Sequence, residues 1–580
     1  MSRQRTWLGR GVLALLPFFL LAASEMAARL ARNLCEFPID VPLGLRFLQR
    51  IRVLDEGGEF VRDAAGHYLL SNHPEAGDWR REPSSGRFAC TAGKPIGSLR
   101  IFCLGESTTF GVGYAPRCSY SRFLEARLST LLSREDVEVV NTGVSGYDSA
   151  CLPEVAEDVL LLGPDLLVVY AGHNELKDPN LVRVERPLAF ATMRTLTTSG
   201  LWWLLGADLP PRERRRPERV TIESLIDAKA RDRSLHYFAD SLRRIAVMAR
   251  RRDVPVLFCV PTSNLGAEGP YQSVLERGTE TERNARRRRL LELSDRFEHR
   301  AIDPPLKDDD RPEFEAALAE LDSMLAVDRG IALAHFLRGR LLWRLRRPQE
   351  AWEAFQRAAE LDRLPIRAAP DHQKVVRRAA AESGTSAVDV DKWFRKQAKD
   401  EIPAADLFID YCHPNLLGHW LIADAILDAI VSLGRIAPRS AFDFGNEPEE
   451  AFHFYCEMLE VSEGRSALLR VQNAVNQLNN ARAETGEKRD RLLEISEQFA
   501  DSALQMETRC AQAFLVKGLV AAVRGDRAGA RSAFGEVNAI DGSVCAPYAD
   551  LLSKDPQFSE WLKGVGAVVE RHGIVLTEGE

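Results

Sequence analysis

The chain has 580 residues, of which 45% are hydrophobic and 28% charged, and a formal net charge of −7 at pH 7. That is the balance of an ordinary globular protein with three or four domains' worth of sequence, and it shows no composition signature of disorder. No basic excess points to nucleic acid, and ten cysteines are too sparse for a disulfide scaffold.

No CxxC pair and no Cys/His cluster with zinc spacing occurs, so neither a metal nor another cofactor is implied. Cys103 and Cys259 sit in apolar runs and read as small core residues. Cys35, Cys90, Cys118, Cys151, Cys456, Cys510 and Cys545 remain open to pairing in an oxidising compartment. The basic runs Arg212–Arg216 and Arg286–Arg289 read as solvated faces.

At the N-terminus, Arg3, Arg5 and Arg10 precede an apolar run from Gly11 to Ala23. Glu25 interrupts it, and Arg29 and Arg32 follow. This pattern predicts a signal anchor over 1–35 that holds the chain to the membrane, with the bulk extracytoplasmic by the positive-inside rule. Cleavage of the same segment would instead give a secreted protein.

A lead-in segment over 36–98 is mixed in character. A regular alternation follows. Leu99–Leu104 is a short apolar strand running into Gly105. Tyr120–Leu132 has helical periodicity, Val137–Val140 is a second strand, and Leu152–Leu162 is a helix stopped by Gly163-Pro164. Leu166–Tyr170 is a third strand, Ser234–Arg250 a helix and Val254–Val260 a fourth strand. This rhythm predicts an α/β domain with a parallel sheet and helices on both faces. Its first part spans 99–261.

The rhythm breaks over 262–365, which is charged and helical. Within it, Gly339, Ala351, Phe355 and Ala358 suit two closely packed helices. Gly518, Ala530, Phe534 and Val537 fall at the corresponding spacings near the C-terminus, with Gly525-Asp526 between the helices. Both stretches resemble the tetratricopeptide repeat, a helix–turn–helix unit, with a weaker half repeat at Phe314–Asp328. The resemblance implies one of two roles for these segments, a cap on the α/β domain or a surface for a protein partner. After 366 the α/β rhythm returns, with a helix at Asp371–Glu382, a strand at Ala387–Val390 and a helix at Leu416–Leu433. The helical stretch therefore reads as an insertion within one α/β domain, whose second part spans 366–440. Residues 447–580 form a helical tail.

Gly105-Glu106-Ser107-Thr108-Thr109 follows the first strand directly. A serine just past the C-terminal end of a parallel strand sits where such sheets bind ligands. It needs a base and an orienting group to act as a nucleophile. It is not the G-x-S-x-G elbow, because Thr109 stands at the second glycine position. Downstream, Asp410-Tyr411-Cys412-His413-Pro414-Asn415 follows the apolar piece Leu407–Ile409. Pro414 keeps His413 out of helical geometry. A carboxylate three residues before an imidazole on a turn can fix its tautomer and leave the other ring nitrogen for the serine. An aspartate cap beside a surface histidine is the competing reading of this segment alone. Asn141-Thr142-Gly143-Val144-Ser145-Gly146-Tyr147-Asp148-Ser149 leaves the second strand, and Ala171-Gly172-His173-Asn174-Glu175 leaves the third. The backbone N–H groups of Ser107 and Gly146 with the Asn174 amide make a candidate oxyanion hole.

These four segments, in this order and each after its own strand-like piece, resemble the blocks of the SGNH/GDSL hydrolases. Gly105–Ser107 is similar to GDS, Ser145–Ser149 to the second block, Gly172–Glu175 to GxND, and Asp410–His413 to DxxH. Glu106 and Glu175 stand where the family has aspartates. Between Gly143 and Gly146, the family spacing favours Gly146 as the donor. His173 reads as a pocket-lining residue.

The resemblance covers about 99–262 and 366–435. It implies a flavodoxin-like three-layer fold and a serine esterase or lipase that cleaves carboxylic esters through an acyl-serine intermediate. In that scheme the catalytic residues are Ser107, Asp410 and His413, the substrate is a lipid, glycan or small ester, and no metal takes part. Two other functions use or bypass the same residues. One is a cell-envelope O-acyltransferase acting on a polysaccharide. The other is a non-catalytic binding protein whose repeats do the work.

Overall fold

A computed structural model of the chain describes residues 67–69, 89–91, 93–112, 119–144, 146–176, 220–221, 228–298, 306–459 and, with gaps, 461–576. The expected signal anchor over 1–35 lies outside these residues. The α/β elements run β1 (Leu99–Gly105), α1 (Tyr120–Leu131), β2 (Val137–Asn141), α2 (Leu152–Val159), β3 (Leu166–Tyr170), α3 (Ala228–Arg250) and β4 (Val256–Cys259). Four helices follow, α4 (Glu280–Phe297), α5 (Arg311–Val327), α6 (Ala332–Arg344) and α7 (Pro348–Leu361). The α/β series then resumes with α8 (Pro370–Ser383), β5 (Ser386–Val388) and α9 (Leu416–Leu433).

The five strands form one parallel sheet in the order β2-β1-β3-β4-β5. This is the strand order of the flavodoxin-like doubly wound sheet, in which the order reverses beside the first strand. Ligands of such sheets bind at that crevice, beyond the carboxyl ends of the strands. Every residue of β1, β3 and β4 is buried, as expected of strands covered on both faces. One face is packed by α2, α3 and α8. There Phe102, Leu104, Val140, Val169 and Phe258 meet Leu152, Val155, Phe238, Leu242, Ile245 and Val376. The alternate strand residues Ile101, Cys103, Val168 and Leu257 point the other way and are equally buried. An ion pair from Arg127 to Asp424 at 2.6 Å ties α1 to α9.

The expected helix over 152–162 ends in two steps. α2 stops at Val159, and a 3-10 turn at Leu160–Leu162 carries the chain to Gly163 at φ 65. A left-handed residue at that position ends a helix, and glycine adopts it without a side-chain clash.

Helices α4–α7 have a core of their own, with Phe297, Phe314, Phe336, Trp343 and Phe355 in one cluster. Gly339 lies against the Phe355 ring so closely that a Cβ there would stand 2.6 Å from it. The absent side chain is what lets α6 and α7 approach.

Contacts divide the chain into two compact units. The first holds the described residues up to Phe110, Leu124–Cys412 and Leu421–Asn446. The second holds Gly111–Phe123, His413–Trp420 and 447 onward. The second unit contains an aromatic cluster in which Trp420 stacks on Tyr455 at 5.6 Å and meets Phe123 edge-on at 5.8 Å. It also contains three helices, α10 (Gly486–Met506), α11 (Ala511–Arg524) and α12 (Arg527–Asp541), around a core that includes Val516, Leu519, Phe534 and Val537. Gly518 lies under the Phe534 ring as Gly339 lies under Phe355. Gly525 turns the chain at φ 75, and the Asp526 side chain caps α12 by accepting the Gly529 N–H.

Among the described residues, Leu416–Leu433 is long and apolar enough to cross a membrane, yet 67% of it is buried inside the protein. Among the described residues, Cys90, Cys103, Cys151, Cys259, Cys412, Cys456, Cys510 and Cys545 form no disulfide with one another.

Candidate active site

The site is built where β1, β2 and β3 end. β1 finishes at Gly105, and Ser107 opens a one-turn helix, Ser107–Phe110. The Ser107 side chain is buried, as are Thr108 and Thr109. The turn is tied to β3, through the Thr109 hydroxyl donating to the Tyr170 carbonyl at 3.4 Å, and to β2 and the loop beyond it. The Asn141 amide donates to the Thr109 carbonyl at 2.6 Å, and the Val144 N–H donates to the Gly105 carbonyl at 3.1 Å.

Beyond β2, the two candidate glycines differ. The Gly143 N–H donates to Asn141 Oδ1 at 2.9 Å, and the residue is buried. Gly146 is exposed, at φ 80, and no described hydrogen bond takes its N–H. A left-handed turn of this kind suits glycine. The Gly143 N–H is thus committed to Asn141, whereas Gly146 lies exposed at a positive φ.

Beyond β3, Asn174 is fully buried, and its side-chain amide donates to the Tyr147 carbonyl at 2.7 Å. One of the two amide N–H groups is thereby used, and the plane of the amide is fixed. His173 is buried too. Its ring stacks on Tyr170 at 5.7 Å, and its Nδ1 accepts the backbone N–H of Ala368 at 3.1 Å. That bond makes Nδ1 the acceptor and places the ring proton on Nε2. An Nδ1 that accepts a backbone amide is not the donor that a triad carboxylate needs.

The Asp410 segment is not a strand. Leu407–Ile409 forms a turn and a single bridge residue, and Asp410–Cys412 is a bend before α9. The apolar side chains of Leu407, Phe408 and Ile409 are buried nonetheless, so the expected burial is met without a sheet partner. Asp410 Oδ1 accepts the Cys412 N–H at 2.9 Å. Within this stretch, side-chain atoms of Asp410 and Cys412 lie within 4.8 Å of each other. Thr108, which follows Ser107, lies 3.5 Å through its hydroxyl from the carbonyl of Cys412, which precedes His413.

Four contributors escaped the sequence reading. Asn264, just past β4, donates through its side chain to the Asp410 carbonyl at 2.9 Å and through its backbone to the Tyr411 carbonyl at 3.1 Å. Arg367 in turn donates to the Asn264 carbonyl at 2.6 Å. Glu106 and Glu175, read from the sequence as minor departures, are both completely buried and bonded to backbone. The only available signal was position: Glu106 follows the end of β1 directly, and Glu175 lies in the loop five residues past the end of β3.

Residues 103–336 match the model of the GDSL-like Lipase/Acylhydrolase family. The match covers less than half of the chain. It takes in Ser107, Gly146 and Asn174 and stops before Asp410 and His413. It supports an ester-cleaving hydrolase. No curated protein matches the chain. Among solved structures, the acetyl xylan esterase AlAXEase is similar at 12% identity, over 57% of this chain and 100% of its own, with a TM-score of 0.27. A mutant acetyl-xylooligosaccharide esterase from Geobacillus Stearmophilus is similar at 16% identity, over 58% and 95%, with a TM-score of 0.28. A member of the lipolytic protein G-D-S-L family from Veillonella parvula is similar at 13% identity, over 57% and 97%, with a TM-score of 0.26.

Proposed function

We propose that the protein is a serine esterase that cleaves carboxylic esters through an acyl-serine intermediate. The observation that carries this reading is the arrangement at the ends of three adjacent strands. Ser107 follows central β1, the Gly146 N–H lies beyond β2, and the Asn174 amide is held by Tyr147 beyond β3. Asp410 orients the His413 imidazole, and His413 takes the Ser107 proton as the serine oxygen attacks the ester carbonyl. The oxyanion that forms accepts from the N–H groups of Ser107 and Gly146 and from the second N–H of Asn174. His413 then protonates the departing alcohol. Water, activated by the same base, releases the acid and restores Ser107.

The test is hydrolysis of p-nitrophenyl acetate and longer-chain homologues by the purified protein beside Ser107→Ala. Turnover in the parent that disappears in folded Ser107→Ala supports the reading and ranks acyl lengths. Equal signals from the two proteins sink it.

We also infer that α6–α7 and α11–α12 are tetratricopeptide-like pairs that offer surfaces to a protein partner. The equivalent placement of Gly339 under Phe355 and Gly518 under Phe534 supports this. The N-terminal pattern of arginines around an apolar run favours an extracytoplasmic protein anchored to the membrane. Protease added to intact cells should digest the protein if that placement holds, and full protection would overturn it.

A further inference from the structure

Two buried carboxylates stand on either side of the oxyanion-binding asparagine. Glu106, the residue before Ser107, accepts the Gly172 N–H at 2.9 Å through one oxygen and the His173 N–H at 3.1 Å through the other. Glu175, the residue after Asn174, accepts the Ser149 N–H at 3.1 Å and its hydroxyl at 2.8 Å. Asn174 itself donates to Tyr147, which lies two residues before Ser149 in the same loop. The three loops beyond β1, β2 and β3 are thus joined by carboxylate-to-backbone bonds, and Asn174 lies between the two pins.

Burying a carboxylate is costly unless its oxygens are bonded. Glu106 and Glu175 are both fully excluded from water, Asp148 is nearly so, and the groups that raise the energy of the Glu106 anion are the other two acids. A glycine-rich loop could be held more cheaply by apolar packing. A buried pair of acids in this position is therefore difficult to explain by stability alone, whereas bonds of fixed direction to Gly172, His173 and Ser149 set where the Asn174 amide sits. A displacement of about 1 Å in such a donor is enough to cost orders of magnitude in rate.

We propose that Glu106 and Glu175 are positioning residues that hold Asn174 and the loop beyond β2 in register with Ser107, a role that rests on the esterase reading above. The carboxyl of Glu106 is pushed well above the usual range, by burial first and then by the Glu175 and Asp148 charges, while the Gly172 and His173 N–H groups pull it back. The described donors of the clamp are the Gly172, His173 and Ser149 N–H groups and the Ser149 hydroxyl.

The experiment uses the full chain with Glu106→Gln, Glu106→Ala, Glu175→Gln and Glu175→Ala, read by ester kinetics and by amide hydrogen exchange across residues 170–176. In folded Glu106→Ala the Gly172 and His173 amides should exchange roughly 10-fold faster or more, because their acceptor is gone. kcat should fall roughly 10- to 100-fold with KM within about 3-fold, since only transition-state binding is disturbed. Glu106→Gln keeps one acceptor oxygen and should fall between parent and Ala. Glu175→Ala should show the same split of kcat from KM. Unchanged exchange in folded variants overturns the proposal, and so does unchanged kcat or an equal rise in KM. If an Ala variant does not fold, the Gln variant decides by the same two readouts. If parent and Ser107→Ala do not differ in turnover, the esterase reading has failed, and the clamp is judged on exchange alone. Protection of Gly172 and His173 that survives Glu106→Ala then removes it.

Discussion

The side-chain amide of Asn174 donates to the backbone carbonyl of Tyr147 across 2.7 Å, with both residues buried. A preoriented donor of this kind needs no reorganisation when charge develops on a substrate oxygen, and its loss is felt in the chemical step. Asn174→Ala should lower kcat for p-nitrophenyl acetate by roughly 10²- to 10³-fold with little change in KM. A comparable loss confined to KM would instead mark Asn174 as a ground-state binding residue.

Gly339 and Gly518 each face a phenylalanine ring on the next helix, Phe355 and Phe534. A methyl group at either position has no room, and the rings are packed among buried neighbours. Gly339→Ala and Gly518→Ala should each destabilise their hairpin by about 1–3 kcal/mol, despite alanine's better helix propensity. Denaturant titration checks this, and the pairing with Phe355→Leu should recover part of the Gly339→Ala loss. Stabilisation by either glycine substitution would mean the helices can slide apart freely.

The parallel sheet was legible because its strands are mostly apolar runs, Leu99–Leu104 with Arg100 as its one charge, Leu166–Tyr170 and Val254–Val260. Burial on both faces removes the alternation that would otherwise mark a strand. The close helix pairs were legible because a glycine at one position and a phenylalanine sixteen residues on, about the length of one helix and a turn, recur twice. Helix α3 begins at Ala228, ahead of the expected Ser234. Serine there imitates an N-cap, but its hydroxyl donates to the Glu175 carbonyl at 3.2 Å from within the helix. Leu407–Ile409 imitated a strand because its three side chains are buried, while its backbone lies in a turn. The work of Glu106, Glu175 and Asn264 was illegible for a different reason. Their partners are main-chain N–H and C=O groups, which every residue has and no pattern reveals.

His419 lies in α9, completely buried, and its pKa is lowered to about 3 by burial first and by His413 second. A histidine kept neutral in the folded state binds fewer protons there than in the unfolded chain. Stability is therefore lost as pH falls below about 6.5, at about 1.4 kcal/mol per pH unit, until pH approaches the folded value. Between pH 7 and pH 5 this residue alone should contribute a loss of about 2 kcal/mol. His419→Phe removes the titration, so its urea midpoint should fall less than the parent's over that range. Identical slopes for the two proteins would assign the acid sensitivity elsewhere.

Arg100 is 1% exposed in the middle of the sheet, at the end opposite Ser107. Its Nε meets Glu138 at 2.7 Å, one terminal nitrogen donates to the Leu162 carbonyl at 2.7 Å, and the other to the Thr91 carbonyl at 2.8 Å. The guanidinium thus joins β1, β2, the turn after α2 and the strand Ala89–Thr91. Removing it strands two carbonyls and a partly buried carboxylate, so Arg100→Ala should cost about 3 kcal/mol. Arg100→Lys should recover little, because a single ammonium cannot reach three acceptors laid out for a planar fork. Chemical denaturation of the two variants checks this. A lysine variant as stable as the parent would show that the charge matters here and the geometry does not.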